Sequence, residues 1–304
     1  MTRAVTLTLL AAALLGCGGG DSGPATTATA AAPSDTQETV PTVSAARVDR
    51  FNATRAFADL KYQVELGARP AGSANARKLA EWARKRLPNG RFEALPGHPG
   101  LRNVVGVVKG RRPAIVIGAH YDTKVLDGFV GAEDGAGGTA AVIELARYFR
   151  RAKRPAGAPE LRFVLFDGEE NPDDAKTDFY AGGVRGSKAY AKRHAKELRA
   201  AIVLDFIAQK DLQIPREAGS DPKLWARLRA AAERVGSGAA FPDREVGEVL
   251  DDHVPFIRRG VRAIDLIDFE FPCWHQTCDD LSVVSARSLD TSGEAVLEFL
   301  RTWR

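Results

Sequence analysis

The chain has 304 residues, 44% of them apolar and 27% charged, with a formal net charge of +4. Such a length and apolar fraction suit one large core or two modest ones, and exclude a chain that is disordered throughout. The basic excess is scattered; its densest run, Arg150-Arg151-Ala152-Lys153-Arg154, has no interleaved aromatic residues to stack on bases and reads as a solvated helix end, not a nucleic-acid patch.

Residues 1–16 read as an export leader: Arg3 supplies positive charge, Val5 to Leu15 is an apolar run too short to span a bilayer, and a small residue follows. The sequence Leu14-Leu15-Gly16-Cys17 resembles the bacterial lipobox, which implies acylation of Cys17 and a lipoprotein held at a membrane, periplasmic or at the cell surface. Residues 17–46 carry Gly, Ser, Thr, Ala and Pro with almost no large apolar side chain, and are expected to be a disordered tether. Residues 47–304 are then the folded domain. In it, strand-like runs at Val104 to Val108, Ala114 to Ala119, Leu161 to Phe166, Ala201 to Leu204 and Ala263 to Ile267 alternate with helical periodicity. Helical faces are formed by Leu79, Trp82 and Ala83, by Val142, Leu145, Ala146 and Phe149, and by Val296, Phe299 and Leu300. This alternation predicts a single α/β domain with helices on both faces of a sheet.

Polar residues gather where these strands end. His120-Tyr121-Asp122 follows the second strand, Asp167-Gly168-Glu169-Glu170 the third and Asp205 the fourth, and ligands of open α/β sheets bind beyond the carboxyl ends of strands. A catalytic zinc takes about three protein ligands from His, Asp, Glu or Cys and keeps a position open. Asp134, in the glycine-rich loop Gly131-Ala132-Glu133-Asp134-Gly135-Ala136-Gly137-Gly138, is a loop candidate, although the same position suits a helix N-cap. Of Glu169 and Glu170, neighbouring carboxylates at a strand end, one can bind metal while the other serves as general base; a solvated acidic turn would look the same. Near the C-terminus, Phe271-Pro272-Cys273-Trp274-His275-Gln276-Thr277-Cys278-Asp279-Asp280 is open to three readings: a zinc knuckle, a small disulfide loop, or one corner of a larger site.

The order of these elements, with Gly67-Ala68-Arg69-Pro70-Ala71-Gly72-Ser73 before them, resembles metallopeptidase family 28, which includes zinc aminopeptidases and the animal-type glutaminyl cyclases. The resemblance covers roughly Phe51 to the C-terminus. It implies a zinc-exopeptidase-like three-layer αβα sandwich with a mixed central sheet, acting on peptide or protein N-termini. By the same resemblance Asp134, Glu170 and His275 hold one zinc, Glu169 is the proton shuttle, and His120 and Asp205 are the positions that hold a second zinc in the two-metal aminopeptidases. His275 then has its partners far away in sequence, and Cys273 and Cys278 read as a local clamp, bonded or as free thiols.

Two features favour the cyclase over the aminopeptidase. Asp251-Asp252-His253-Val254-Pro255-Phe256-Ile257-Arg258-Arg259-Gly260-Val261 resembles a cyclase segment whose first Asp joins a carboxylate network with the equivalent of Asp205, although a helix with an exposed acidic start and a basic end would also fit. Trp274 directly before His275 is the second, with core packing as its plain alternative. Against them, the Gly131 to Gly138 loop is nearer the aminopeptidase pattern. The pocket tryptophan that the cyclases carry after the Glu pair is missing from Asn171-Pro172-Asp173-Asp174-Ala175, with Phe179 or Tyr180 as replacements. A lipoprotein that only binds peptide or zinc would have lost the shuttle or a ligand, and none is lost. His98 and His194 have no evident partners and read as surface residues.

Overall fold

The computed structural model describes residues 43–303, so the leader, Cys17 and the tether as far as residue 42 lie outside the described residues. The domain is built on a six-stranded sheet of β1 (Arg91–Ala94), β2 (Arg102–Val108), β3 (Arg111–His120), β4 (Pro159–Phe166), β5 (Leu198–Leu204) and β8 (Arg262–Leu266). The spatial order is β1-β2-β4-β3-β5-β8. β1, β2 and β4 pair antiparallel, whereas β4, β3, β5 and β8 run parallel, so the sheet is mixed as expected. A two-residue pair, β6 (Arg216–Glu217) with β7 (Glu245–Val246), stands apart from it.

Alternation along each strand separates two buried layers. Ile115, Ile117 and Ala119 of β3 face a large cluster shared with α1 (Ala53–Glu65), α2 (Ala74–Arg84), α3 (Gly138–Arg151), α6 (Pro222–Val235) and α8 (Ala286–Arg301). Ala114 and Val116 face a smaller one with Tyr190 and Ala191 of α5 (Arg185–His194) and Phe256 of α7 (Val254–Ile257). A one-turn helix, α4 (Phe179–Gly182), precedes α5. The apolar faces expected on α2, α3 and α8 are in the core, apart from Trp82, which is partly buried, stacks on Tyr62 and lies beneath Arg86. Each fully buried side chain of this size contributes roughly 1.5–3 kcal/mol.

The strands extend beyond the apolar runs. β5 begins at Leu198, whereas β8, at Arg262–Leu266, is shifted one residue earlier than Ala263 to Ile267 and leaves Ile267 outside the strand; at the edge where parallel strands begin, a charged side chain such as Arg262 can stay in water. Among the described residues no helix is long and apolar enough to cross a membrane.

Candidate active site

The carboxyl ends of β3, β4 and β5 deliver His120, Glu169-Glu170 and Asp205 to one edge, and two loops complete the set. His120 Nε2 lies 3.1 Å from Asp205 Oδ1 and 3.3 Å from Asp134 Oδ1. His275 Nε2 lies 3.6 Å from Asp134 Oδ2 and 3.4 Å from Glu170 Oε1. Asp134 thus faces two groups, His120 with Asp205 on one side and Glu170 with His275 on the other, and each trio has ligand atoms within 4.8 Å of one another. Asp134 Oδ2 and Glu170 Oε1 are buried without a well-formed hydrogen bond, and Glu170 Oε2 has only the Lys124 ammonium beside it, at 3.4 Å. Two acceptor-rich carboxylates converging on an imidazole nitrogen, with lone pairs unspent, are the donor set that a divalent metal fits.

The chain sets these side chains by clamping the backbone around them. Asp122 accepts N–H bonds from Gly168 (2.9 Å), Glu169 (3.1 Å) and Glu170 (3.2 Å), drawing the turn after β4 into a shallow nest. From the other side Arg185 donates to the carbonyls of Gly168 (3.0 Å) and Glu170 (2.8 Å). The Asp134 loop is an irregular turn, not a regular helix start: Asp134 has ψ 91° and Gly135 has φ +102°. A β-carbon at Gly135 would meet the Asp122 carbonyl at 2.8 Å, so both the left-handed φ and the close approach require glycine there. Asp134 is therefore not an N-cap. Its own N–H and that of Glu133 are bonded by Asp279 at 3.1 and 2.8 Å, while Glu133 turns inward to accept from Ala208 N–H at 2.8 Å. Arg69, fully buried, donates to the carbonyls of Val130 (2.8 Å) and Gly131 (3.0 Å) beneath the loop.

Cys273 and Cys278 form a disulfide, with Cα atoms 5.5 Å apart, so the zinc-knuckle reading is overturned: both sulfurs are engaged with each other. Within the closed loop His275 adopts φ +51°, and Trp274 stacks on its ring at 4.5 Å. Trp274 is 44% exposed, which rules out plain core packing. It packs against Phe269 at 5.0 Å, and the two aromatic rings wall a cavity of about 700 Å³ that Phe179, Leu250, Glu169 and Asp251 also line. Of the two replacements considered for the absent tryptophan, Phe179 lines this cavity, whereas Tyr180 lies beneath the Arg258 guanidinium at 3.7 Å. Lys124, almost wholly buried, reaches Glu170 Oε2 at 3.4 Å and Asp174 at 2.7 Å.

Crowded carboxylates dominate the electrostatics. Burial, then the charge of Glu170, pushes Glu169 well above the usual carboxylate range. Burial and Asp251 raise Asp205 to about 7. Burial would lower His120, but hydrogen bonds to Asp134 and Asp205 outweigh it and hold the imidazole well above its ordinary value.

Behind Asp205 stands a second buried group. Asp251, Asp252, His253, Asp265 and Glu217 are all buried, so the alternative of an exposed acidic helix start at Asp251 and Asp252 does not hold; the helix there is only the four residues of α7. His253 lies between Glu217 (Nε2 to Oε1, 3.2 Å) and Asp265 (Nδ1 to Oδ2, 3.5 Å). Neither Asp265 nor Glu217 was singled out from sequence, although a charged residue at an inward position of Ala263-Ile264-Asp265-Leu266 was a readable signal. Arg69, Asp122, Asp279 and Lys124 were missed as well; the first three lie within the motifs that carry the resemblance or beside His275, but nothing in their spacing reveals backbone partners. His98 is exposed as expected, whereas His194 is half-buried and bonded to Glu93 (3.0 Å) and Glu197 (3.2 Å).

Comparison with known proteins places this geometry. Residues 103–300 match Peptidase family M28. The chain is 26% identical over 202 residues to glutaminyl-peptide cyclotransferase of Drosophila melanogaster, covering 58% of this chain and 57% of that protein. It is 28% identical over 214 residues to aminopeptidase YwaD of Bacillus subtilis, covering 64% of this chain and 43% of that one. It thus spans less than two thirds of the length of either relative. The solved structure of Porphyromonas gingivalis glutaminyl cyclase superposes with a TM-score of 0.74 at 26% identity, covering 83% of this chain and 99% of that one. The matched stretch runs from the second strand to the last helix and takes in His120, Asp134, Glu170, Asp205 and His275 together; this chain belongs to peptidase family M28.

Proposed function

We propose that this chain is a zinc-dependent glutaminyl-peptide cyclotransferase, which converts an N-terminal glutamine to pyroglutamate with release of ammonia. The observation that carries the reading is the separation of roles at the turn after β4: Glu170 turns Oε1 toward Asp134 and His275, while the buried Glu169 lines the cavity next to them. Asp134, Glu170 and His275 would hold the metal. Zinc, when bound there, acts as a Lewis acid on the γ-carbonyl of the substrate glutamine. The aromatic wall of Trp274 and Phe269 holds the glutamine side chain and excludes water from it. The substrate's α-nitrogen forms the new bond to the γ-carbonyl carbon, the bond from that carbon to the amide nitrogen breaks, and Glu169 carries the proton from the first nitrogen to the second. Because nucleophile and carbonyl belong to one residue, holding the side chain folded back supplies much of the rate. Asp251, on the cavity wall, and Asp205, bonded to His120, support this proton path in the reading.

The burial of Asp205 and its crowding by Asp251, which raise it to about 7, support one zinc, since a carboxyl that keeps its proton is a poor ligand. A second reading, a two-zinc aminopeptidase that hydrolyses the first peptide bond, is favoured by the proximity of His120, Asp134 and Asp205. Incubating the protein with a peptide beginning in glutamine separates the two by product mass. Loss of ammonia supports the cyclase, and release of free glutamine overturns it. We further propose that Cys17 is lipidated, placing the enzyme outside the cytoplasm on a membrane; mass spectrometry of the mature N-terminus checks this.

A further inference from the structure

The edge of the sheet opposite the active site carries the reverse charge. Arg111 of β3 is in register with Pro159 of β4, and His120 with Phe166, so the parallel strands begin at one edge and end at the other. At about 3.3 Å per residue, the length of β4 separates the two edges by roughly 26 Å. The carboxyl edge holds the buried carboxylates of the site, and its cavity mouth adds the exposed Glu248, while Asp174 and Glu270 there are paired with Lys124 and Arg244. The other edge exposes Lys109, Arg111, Arg150, Arg151 and Lys153, none of which has an ion-pair partner among the described residues. The acids nearby are already taken: Glu160 and Glu197 pair with Arg112 and Arg162, and Glu144 with Arg55 and Arg147. Arg151 and Lys153 line a groove of about 1000 Å³ between the ends of α3 and α8, floored by the buried Phe149 and Trp303.

We infer that this basic edge is a docking face for an anionic phospholipid surface, which turns the catalytic mouth away from the membrane. Charge complementarity selects the partner. Unpaired cations spread along an edge match a layer of phosphate headgroups, and the absence of exposed aromatic rings among them gives bases nothing to stack on. The far edge carries the buried carboxylates of the site, so the field of the domain turns the basic edge toward such a surface. This docking goes beyond the catalytic reading and depends neither on it nor on lipidation of Cys17.

The test is vesicle sedimentation of the full chain carrying Cys17→Ala, so that no acyl anchor contributes. The chain should bind phosphatidylglycerol-containing vesicles far better than pure phosphatidylcholine vesicles, with the difference vanishing in high salt. Arg111→Gln, Arg151→Gln and Lys153→Gln combined should weaken binding to the anionic vesicles about a hundredfold while leaving peptide turnover unchanged. Equal binding to both vesicle types, or a triple variant that binds like the parent, overturns the inference. Saturable displacement by inorganic phosphate at constant ionic strength would also overturn it, because the groove would then be a small-anion site.

Discussion

Asp122 touches neither the cavity nor the metal-facing atoms, yet Asp122→Asn should weaken metal binding. Its Oδ1 accepts from Gly168 and Glu169, and its Oδ2 from Glu170. An asparagine has one oxygen to offer, so in either amide orientation its NH₂ group faces at least one backbone N–H donor. Leaving one buried N–H unpaired costs about 1–3 kcal/mol. Removing the buried charge offsets part of this, because burial has already raised Asp122 to about 7. The net change in unfolding free energy should therefore be small, at most about 2 kcal/mol. The metal should report the loss more strongly. Glu170 presents both oxygens from that turn, and losing a supporting contact of this kind lowers metal affinity about 10–100-fold. Chelator competition measures the affinity and urea unfolding the stability. Unchanged zinc affinity in a folded Asp122→Asn protein would refute the idea that the three N–H bonds aim Glu170. Asp122→Ala, with all three donors unpaired at roughly 3–9 kcal/mol, should not fold.

Other expectations are independent of that one. Glu169→Gln keeps the shape of the side chain and relieves repulsion with Glu170; it should retain zinc and melt no lower than the parent, while turnover of a glutamine-initiated peptide falls about 10²–10⁴-fold. Full activity in that variant would remove the shuttle role. Trp274→Ala opens the cavity wall and should raise KM for such a peptide about tenfold with zinc content unchanged, as steady-state kinetics and metal analysis would show. Asp268, whose carboxyl is raised by burial from 3.8 to about 6 despite the Gln213 N–H bond, contributes stability that is complete below pH 4 and lost as pH rises through 6. Asp268→Asn should therefore gain about 3 kcal/mol relative to the parent between pH 4 and pH 8, read by urea unfolding; a pH-independent difference would contradict it.

The central strands were legible because a parallel sheet covered on both faces leaves near-continuous apolar runs, as in Ala114 to Ala119, and the polar residues that end such runs stand at the ligand-binding edge. β1 was not legible, since Arg91-Phe92-Glu93-Ala94 offers a single large apolar side chain in four residues, too short an alternation to stand out, and its outer edge is free. α6 was overlooked although its start and stop are written in the sequence: Asp221 caps the first turn, Pro222 follows, and Gly236 ends it with φ +83°. In the site, His120, Glu169, Glu170 and Asp205 could be placed by strand ends alone. His275 could be joined to them only through resemblance, because it stands 70 or more positions from each of the other candidate ligands and no local pattern encodes that meeting. Arg69 and Asp122 act on backbone groups, whose positions no residue-type pattern reveals.

The disulfide-closed segment that ends in Asp279 concentrates separate duties in very little chain. His275 faces the metal trio, Trp274 walls the substrate cavity, and Asp279 holds the loop that presents Asp134. In the proposed reading, a change that reshapes the wall for a different N-terminal residue therefore acts on the segment that also carries one candidate ligand and the tether of another. Substrate preference and metal retention are coupled through one lever arm. Redesign for a new substrate is better attempted at Phe179 or Leu250, which line the same cavity from outside that segment.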